Sequence, residues 1–370
     1  MEDFLNIEIQ KLPGMFDKKQ CYVHARAVAL RGNKWIMTAQ KLNISGDDFF
    51  EPLCVARSED GGLSWSGFTP IKAFEKTDVG GGAYEVLCDA THLYHKKTGR
   101  AILLGCAARY GKNDLKPVSG IQNKPLYAVY DEAQDDYGPV REIKLPHLAG
   151  VHCSFPSSSE FLSDDSGDLF IPVAVRRGPW NEAYVSAVMR CGFDGETITF
   201  KEMGNFLEFD DVRGAYEPSV CRFNGRFYLT LRSDTYGLFS VSDDGLHFSK
   251  PEVWRWDTGD ILPNYNTQQH WLTCGGRLHL VYTRRSGNND HVFRHRAPLY
   301  IAEVDTEKMQ VCRHSERIVA PERGARLGNF GTMFVNDNYS VVTVSEWMQP
   351  AGCERFGSDN SIFIARVKVK

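Results

Sequence analysis

Cationic and carboxylate side chains recur at matching points around short apolar runs in this chain. One set precedes the runs: His24 with Arg26, Glu85 with Asp89, His152, Arg213 with Tyr216 and Glu217, and the group Asn264, Tyr265, Asn266, Gln268, Gln269 and His270. A second set follows the next run of each pair: Lys41 with Asp47, Arg109, Arg176 with Arg177, Arg232 with Asp234, Arg284 with Arg285, and Glu346. Guanidinium groups bind a carboxylate through paired hydrogen bonds, so arginines gathered in one pocket imply an anionic ligand, read here as a carboxylated sugar. Glycosidic cleavage needs an acid to protonate the leaving oxygen and a carboxylate to assist the attack, and Asp47 and Glu217 supply that pair. The densest polar stretch runs over 264–271 and again over 282–296, with His291 and Arg294 in its second part. A histidine base, His270 or His152, with Tyr216 or Tyr265 as acid would instead suit β-elimination from a uronate, the arginines acidifying its α-proton. A structural salt-bridge network is the competing reading of the same pattern. His279, inside an apolar run, reads as a core histidine.

Residues this far apart share a pocket only if the elements carrying them converge. Helical periodicity is absent, whereas short β-branched and aromatic runs bounded by Gly, Asn and Asp recur throughout. Six similar units begin near Tyr22, Ala83, His152, Gly214, Tyr265 and Asn329, and a period of roughly 50 to 70 residues belongs to four-stranded propeller blades. The expectation is an all-β, six-bladed β-propeller, with residues 1–370 as one domain. Its innermost strands would bring the entry residues to one axis. The last strand, 361–367, would pair with Ile7-Glu8-Ile9 and close the ring, removing an exposed edge. The irregular stretch 110–124 reads as an insertion on one face.

Composition narrows the function classes. With 370 residues, 42% hydrophobic, and a net charge of -4, the chain can bury a large core and has no polyanion-binding character, so nucleic acid is not an expected partner. No stretch approaches a membrane span and the N-terminus lacks a signal-like pattern, so the cytoplasm is expected. The ten cysteines are scattered singly with no C-x-x-C pair and read as reduced, buried thiols rather than zinc ligands. His24, His152 and His270 lie on comparable entry segments, but no H-x-H or H-E-x-x-H spacing accompanies them, and neither metal nor cofactor is expected. Oligomeric state is not legible.

The octet Ser58-Glu59-Asp60-Gly61-Gly62-Leu63-Ser64-Trp65 fits S-x-D-x-G-x-x-W, and Ser242-Asp243-Asp244-Gly245-Leu246-His247-Phe248 is a shorter copy with Phe for Trp. In such a turn the Ser and Asp side chains bond backbone amides, Gly62 supplies a positive φ, and Trp65 packs back between sheets. A third stretch, 163–170, reads as an ordinary hairpin turn. The octet resembles the Asp-box turn of the sialidase superfamily, six-bladed propellers. Arg26-Ala27-Val28-Ala29-Leu30 is similar to that family's R-I-P-A-L strand, whose Arg binds the sialic acid carboxylate. Lys41 stands where a second Arg of the family's triad is placed, Asp47 where its acid/base Asp falls, and Glu217 with Arg232 where the nucleophile's Glu partner and another Arg fall. The family's Tyr nucleophile has no counterpart, since the last unit reads Gly328-Asn329-Phe330-Gly331. The polar stretch 264–296 is similar to propellers acting on rhamnose- or uronate-capped polysaccharides. The resemblance implies an exo-acting glycoside hydrolase releasing a terminal acidic sugar from an oligosaccharide. Arg26, Lys41, Arg232 and Arg285 would hold the anion, with His24, Gln269, Arg284, His291 and Arg294 as further substrate contacts. A lyase or a non-catalytic sugar-binding propeller on the same fold are the alternatives.

Overall fold

A computed structural model describes residues 4–118, 123–148, 150–178 and 183–370. Among these, regular structure is β-strand apart from four 3-10 turns, and the strands form six small antiparallel sheets, the blades of a six-bladed propeller. Blade 1 comprises Gln20–Ala29, Trp35–Asn43, Phe50–Ser58 and Thr69–Pro70. Blade 2 is built on Ala83–His95, Arg100–Tyr110 and Pro125–Asp131, and blade 3 on Cys153–Phe155, Leu169–Arg176, Val185–Phe193 and Ile198–Met203. Blade 4 has Tyr216–Phe223, Arg226–Arg232, Gly237–Ser242 and Glu252–Val253; blade 5 has His270–Cys274, Arg277–Tyr282 and Leu299–Asp305. Blade 6 takes Phe330–Asn336, Tyr339–Ser345 and Ile362–Val369 from the end of the chain and Leu5–Leu12 from its start. The N-terminal strand pairs with the last one in the expected place, Ile7 opposite Val367 and Ile9 opposite Ala365.

Each sheet is covered on both faces by its neighbours, so inner strands read as continuous apolar runs instead of alternating ones. Leu169–Arg176 is buried at every position. Packing between blades 2 and 3 joins Ile102, Leu104 and Tyr127 to Ile171, Val173 and Met189. Hairpin geometry follows turn chemistry: Asn224 and Gly225 both have positive φ, 48° and 81°, in a two-residue loop between the paired Phe223 and Arg226.

The octet turn links the outer strands of blade 1. Ser58 Oγ accepts from the Gly62 amide at 2.8 Å, and an Asp60 carboxylate oxygen accepts from the Ser64 amide at 2.9 Å. Trp65 Nε1 donates to the Gly62 carbonyl at 2.9 Å. The shorter copy repeats the pattern, with the Gly245 amide on Ser242 and the Leu246 and His247 amides on Asp244. The stretch 163–170 forms a hairpin, Ser163 pairing with Leu169.

Candidate functional site

The entry of the inner strand is irregular in the same way in blade after blade. His24, Asp89, Ser158, Glu217 and Asn266 have φ of 55°, 52°, 53°, 47° and 49°, a left-handed conformation that non-glycine residues seldom adopt. In blades 1, 2 and 4 the strand register shifts at that point. A bulge of this kind turns one side chain out of the strand's alternation. Five polar residues from five blades are thereby placed at one end of the propeller axis.

Asp48, Asp89 and Glu217, with Glu85, Arg109 and Tyr184, line a cavity of about 210 Å³ at that end. Glu217 accepts from Arg232 Nη1 at 2.8 and 2.9 Å, and Arg109 is held by Glu85. Tyr216 stacks on Tyr184 at 5.6 Å, and the Arg213 and Arg232 guanidiniums lie 4.9 and 4.7 Å from its ring centre. Its hydroxyl donates to Asp234 at 3.1 Å. Burial pushes the Asp48 carboxyl above its ordinary value, with the Asp47 charge adding to the rise. Asp48 is itself exposed, reaching solvent where it lines the cavity.

Beside the carboxylates lies a cationic wall. Arg232, Arg296 and Arg326 are 7%, 5% and 9% exposed, and the Nε–H of each has no hydrogen-bond partner among the described residues. Arg296 donates Nη2 to the Asn266 carbonyl at 2.6 Å, and Arg326 donates Nη2 to Gln349 at 2.8 Å while lying 4.2 Å over the Trp347 ring. Burial, then the Arg232 and Arg326 charges, holds the Arg296 pKa well below its ordinary value; burial lowers Arg326 to about 10 despite the Asp48 charge. Burial also opposes the Arg232 charge, but Glu217 more than offsets it. Three crowded guanidiniums with spare donors offer the chemistry that binding an anion requires. Arg294, also with positive φ, donates to the Asn266 side chain at 3.5 Å at its margin.

Several residues singled out from the sequence lie elsewhere. Arg26 does not face the cavity: Nη1 donates to the Ala90 carbonyl (3.1 Å) and Thr91 Oγ1 (2.7 Å), Nε to the Phe330 carbonyl (3.1 Å) and Nη2 to Gln268 (3.1 Å). It ties four blades together at the axis, and His24, two residues earlier, occupies the entry bulge instead. His270 is buried below the cavity between Ser219 Oγ, 2.6 Å from its Nδ1, and the Phe330 ring; burial, then Arg26, pushes its pKa well below the usual range. It is no solvent-reaching base. Gln269 is buried with its amide near the Leu231 carbonyl, 3.4 Å away.

Asp47 is exposed outside the cavity lining, with its amide on Leu115, and the adjacent Asp48 takes the cavity position. Lys41 lies at a strand irregularity of blade 1, near Cys54 and away from the lining. Arg284 is engaged by Glu316 at 2.8 Å and stacked 4.5 Å from Tyr300. His291 pairs with Glu322 at 2.9 Å against Phe356. Arg285 is an exposed residue near Tyr265, whose hydroxyl meets His295 Nδ1 at 2.5 Å. His152 is exposed just ahead of blade 3, its amide on the Arg176 carbonyl.

Asp48 and Arg326 escaped the sequence reading. Neither lies in an inner-strand entry segment, and no residue pattern in the sequence marks either one.

No protein-family model and no curated protein matches the sequence. Among solved structures, a protein of unknown function from Dyadobacter fermentans DSM 18053 aligns with a TM-score of 0.67 at 13% identity, over 98% of this chain and 99% of that one. The Hadza microbial sialidase Hz136 aligns at 0.64 and 12% identity over 94% of this chain and 65% of its own. Trypanosoma rangeli sialidase, captured with 2,3-difluorosialic acid as a covalent intermediate, aligns at 0.62 and 16% identity over 97% and 58%. The chain thus spans 65% and 58% of the two sialidases. At these identities the likeness establishes a sialidase-like six-bladed propeller fold.

Proposed function

We propose that the chain is a glycoside hydrolase that removes a terminal carboxylate-bearing sugar from an oligosaccharide. Arg232, Arg296 and Arg326 hold the sugar carboxylate, Asp48 gives its proton to the leaving glycosidic oxygen, and Glu217 takes a proton from the attacking water. The observation that carries this reading is the buried trio of guanidiniums with unpartnered Nε–H groups beside a cavity lined by Asp48 and Glu217. Anion capture and acid/base cleavage need that juxtaposition. Water is the nucleophile in this scheme because Phe330 has no oxygen and its ring is fully buried against His270.

The test is a panel of oligosaccharides ending in sialic or uronic acids, with products followed by mass. Addition of one water is expected. Arg296→Ala should weaken binding of the acidic sugar about 10- to 100-fold, the loss of charge-assisted hydrogen bonds, while leaving binding of its neutral amide analogue nearly unchanged. Equal losses for acid and amide would make the arginines structural. An unsaturated uronate product would establish elimination, and binding without any product a non-catalytic propeller.

A further inference from the structure

The hydrolytic scheme makes no use of Asp89 or of the two thiols beside it. We infer that Cys88, Cys106 and Asp89 form a site for one thiophilic divalent cation of the zinc type, on the blade 2 wall of the cavity. Their metal-binding atoms all lie within 4.8 Å of one another.

Cys88 and Cys106 sit directly opposite each other in the pairing of Ala83–His95 with Arg100–Tyr110, so both side chains leave the sheet on one face. Their sulfurs are 3.8 Å apart. Two thiolates bound to tetrahedral zinc at about 2.3 Å each stand about 3.8 Å from one another, so the pair is already spaced for the ion. In an unbroken strand Asp89 would point away from Cys88. The register shift after Cys88, with Asp89 at φ 52°, brings the carboxylate to the thiols' side.

The surroundings match a metal shell. Ser158 Oγ and Ser157 Oγ donate to Asp89 at 3.1 and 3.4 Å, the outer contacts that orient a ligating carboxylate. His24 Nε2 lies 3.5 Å from Asp89 Oδ1, and His24 Nδ1 is buried without a hydrogen-bond partner among the described residues. Asp89 makes no Lys or Arg ion pair among the described residues; Arg26, the cation nearest in its electrostatics, has its donors engaged by other groups. All three ligands line the cavity, which supplies an entry path and a water for the fourth position. Binding converts two thiols to thiolates and releases two protons.

The experiment uses the purified full chain under reductant. Zinc retained after gel filtration is counted by native mass spectrometry, and a cobalt titration is followed in the near ultraviolet. One equivalent is expected, with a sulfur-to-cobalt charge-transfer band and, by X-ray absorption, two sulfurs at about 2.3 Å. Cys88→Ser and Cys106→Ser should each lose affinity about tenfold or more, while Cys274→Ser, in blade 5, should bind as the parent does. The absorption spectrum of the unaltered protein tests the site even where a variant fails to fold. Absence of retained zinc, a cobalt spectrum without the sulfur band, or undiminished binding in both blade 2 variants would overturn the site. So would an 88–106 disulfide in protein isolated without reductant, which would make the pair a redox couple. None of these outcomes bears on hydrolysis, which is read from sugar products.

Discussion

A proton donor must hold its proton until the leaving oxygen arrives, and at Asp48 burial and the Asp47 charge favour the protonated carboxyl. The two aspartates are adjacent and both exposed, yet only Asp48, with φ of 48°, lines the cavity. Asp48→Asn should therefore lower kcat by about 10²- to 10⁴-fold, the range for a positioned general acid, and Asp47→Asn should change it little. Steady-state rates on an acidic oligosaccharide decide between them; the reverse order would return the role to Asp47. The same one- or two-residue displacement separates His24 from Arg26. Sequence supplies both members of each pair, but the choice depends on a left-handed backbone φ at Asp48 and at His24 that no side-chain pattern announces.

Elements outside the site were far more legible. The octet turn is specified by its own atoms, since Ser58 Oγ accepts from the Gly62 amide and donates to Asp60, which accepts from the Ser64 amide. Gly62 carries the strictest requirement: φ is 79°, and a Cβ there would lie 2.5 Å from Trp35 Cε3 in the blade 1 core. Gly62→Ala should destabilise the fold by about 2 to 3 kcal/mol through left-handed strain and overpacking, measured by denaturant unfolding. Affinity for an acidic sugar should stay at the parent value, because the turn lies on outer strands remote from the axis. Unaltered stability would mean that the indole moves aside freely.

Across the whole molecule, the axis is plugged by a polar layer between the small cavity and a larger one of about 900 Å³ lined by the far ends of the inner strands. Glu160 looks into the larger cavity and accepts from the Thr332 amide and hydroxyl, each at 2.7 Å; burial pushes its carboxyl from 4.5 up to about 7. A carboxyl raised in the native state binds more protons folded than unfolded, so its contribution is complete below pH 4.5 and is lost as pH rises through about 7. Glu346, also near 7, acts in the same direction. Thermal melting followed across that window should show a shallower decline in Glu160→Gln than in the parent; identical slopes would mean that Glu160 is ionised throughout. By itself the sequence determined the strand class, the sixfold repeat, the octet turn and the closing of the ring by Ile7 and Ile9, because turn chemistry and apolar patterning act over a few residues. Only the tertiary structure decided which polar side chains meet. Arg26 became a tie across four blades, Asp48 and Arg326 joined the site, and cysteines 18 residues apart in the chain came to face each other. Those outcomes depend on register, bulges and the convergence of strands on an axis, which are properties of pairing between distant segments.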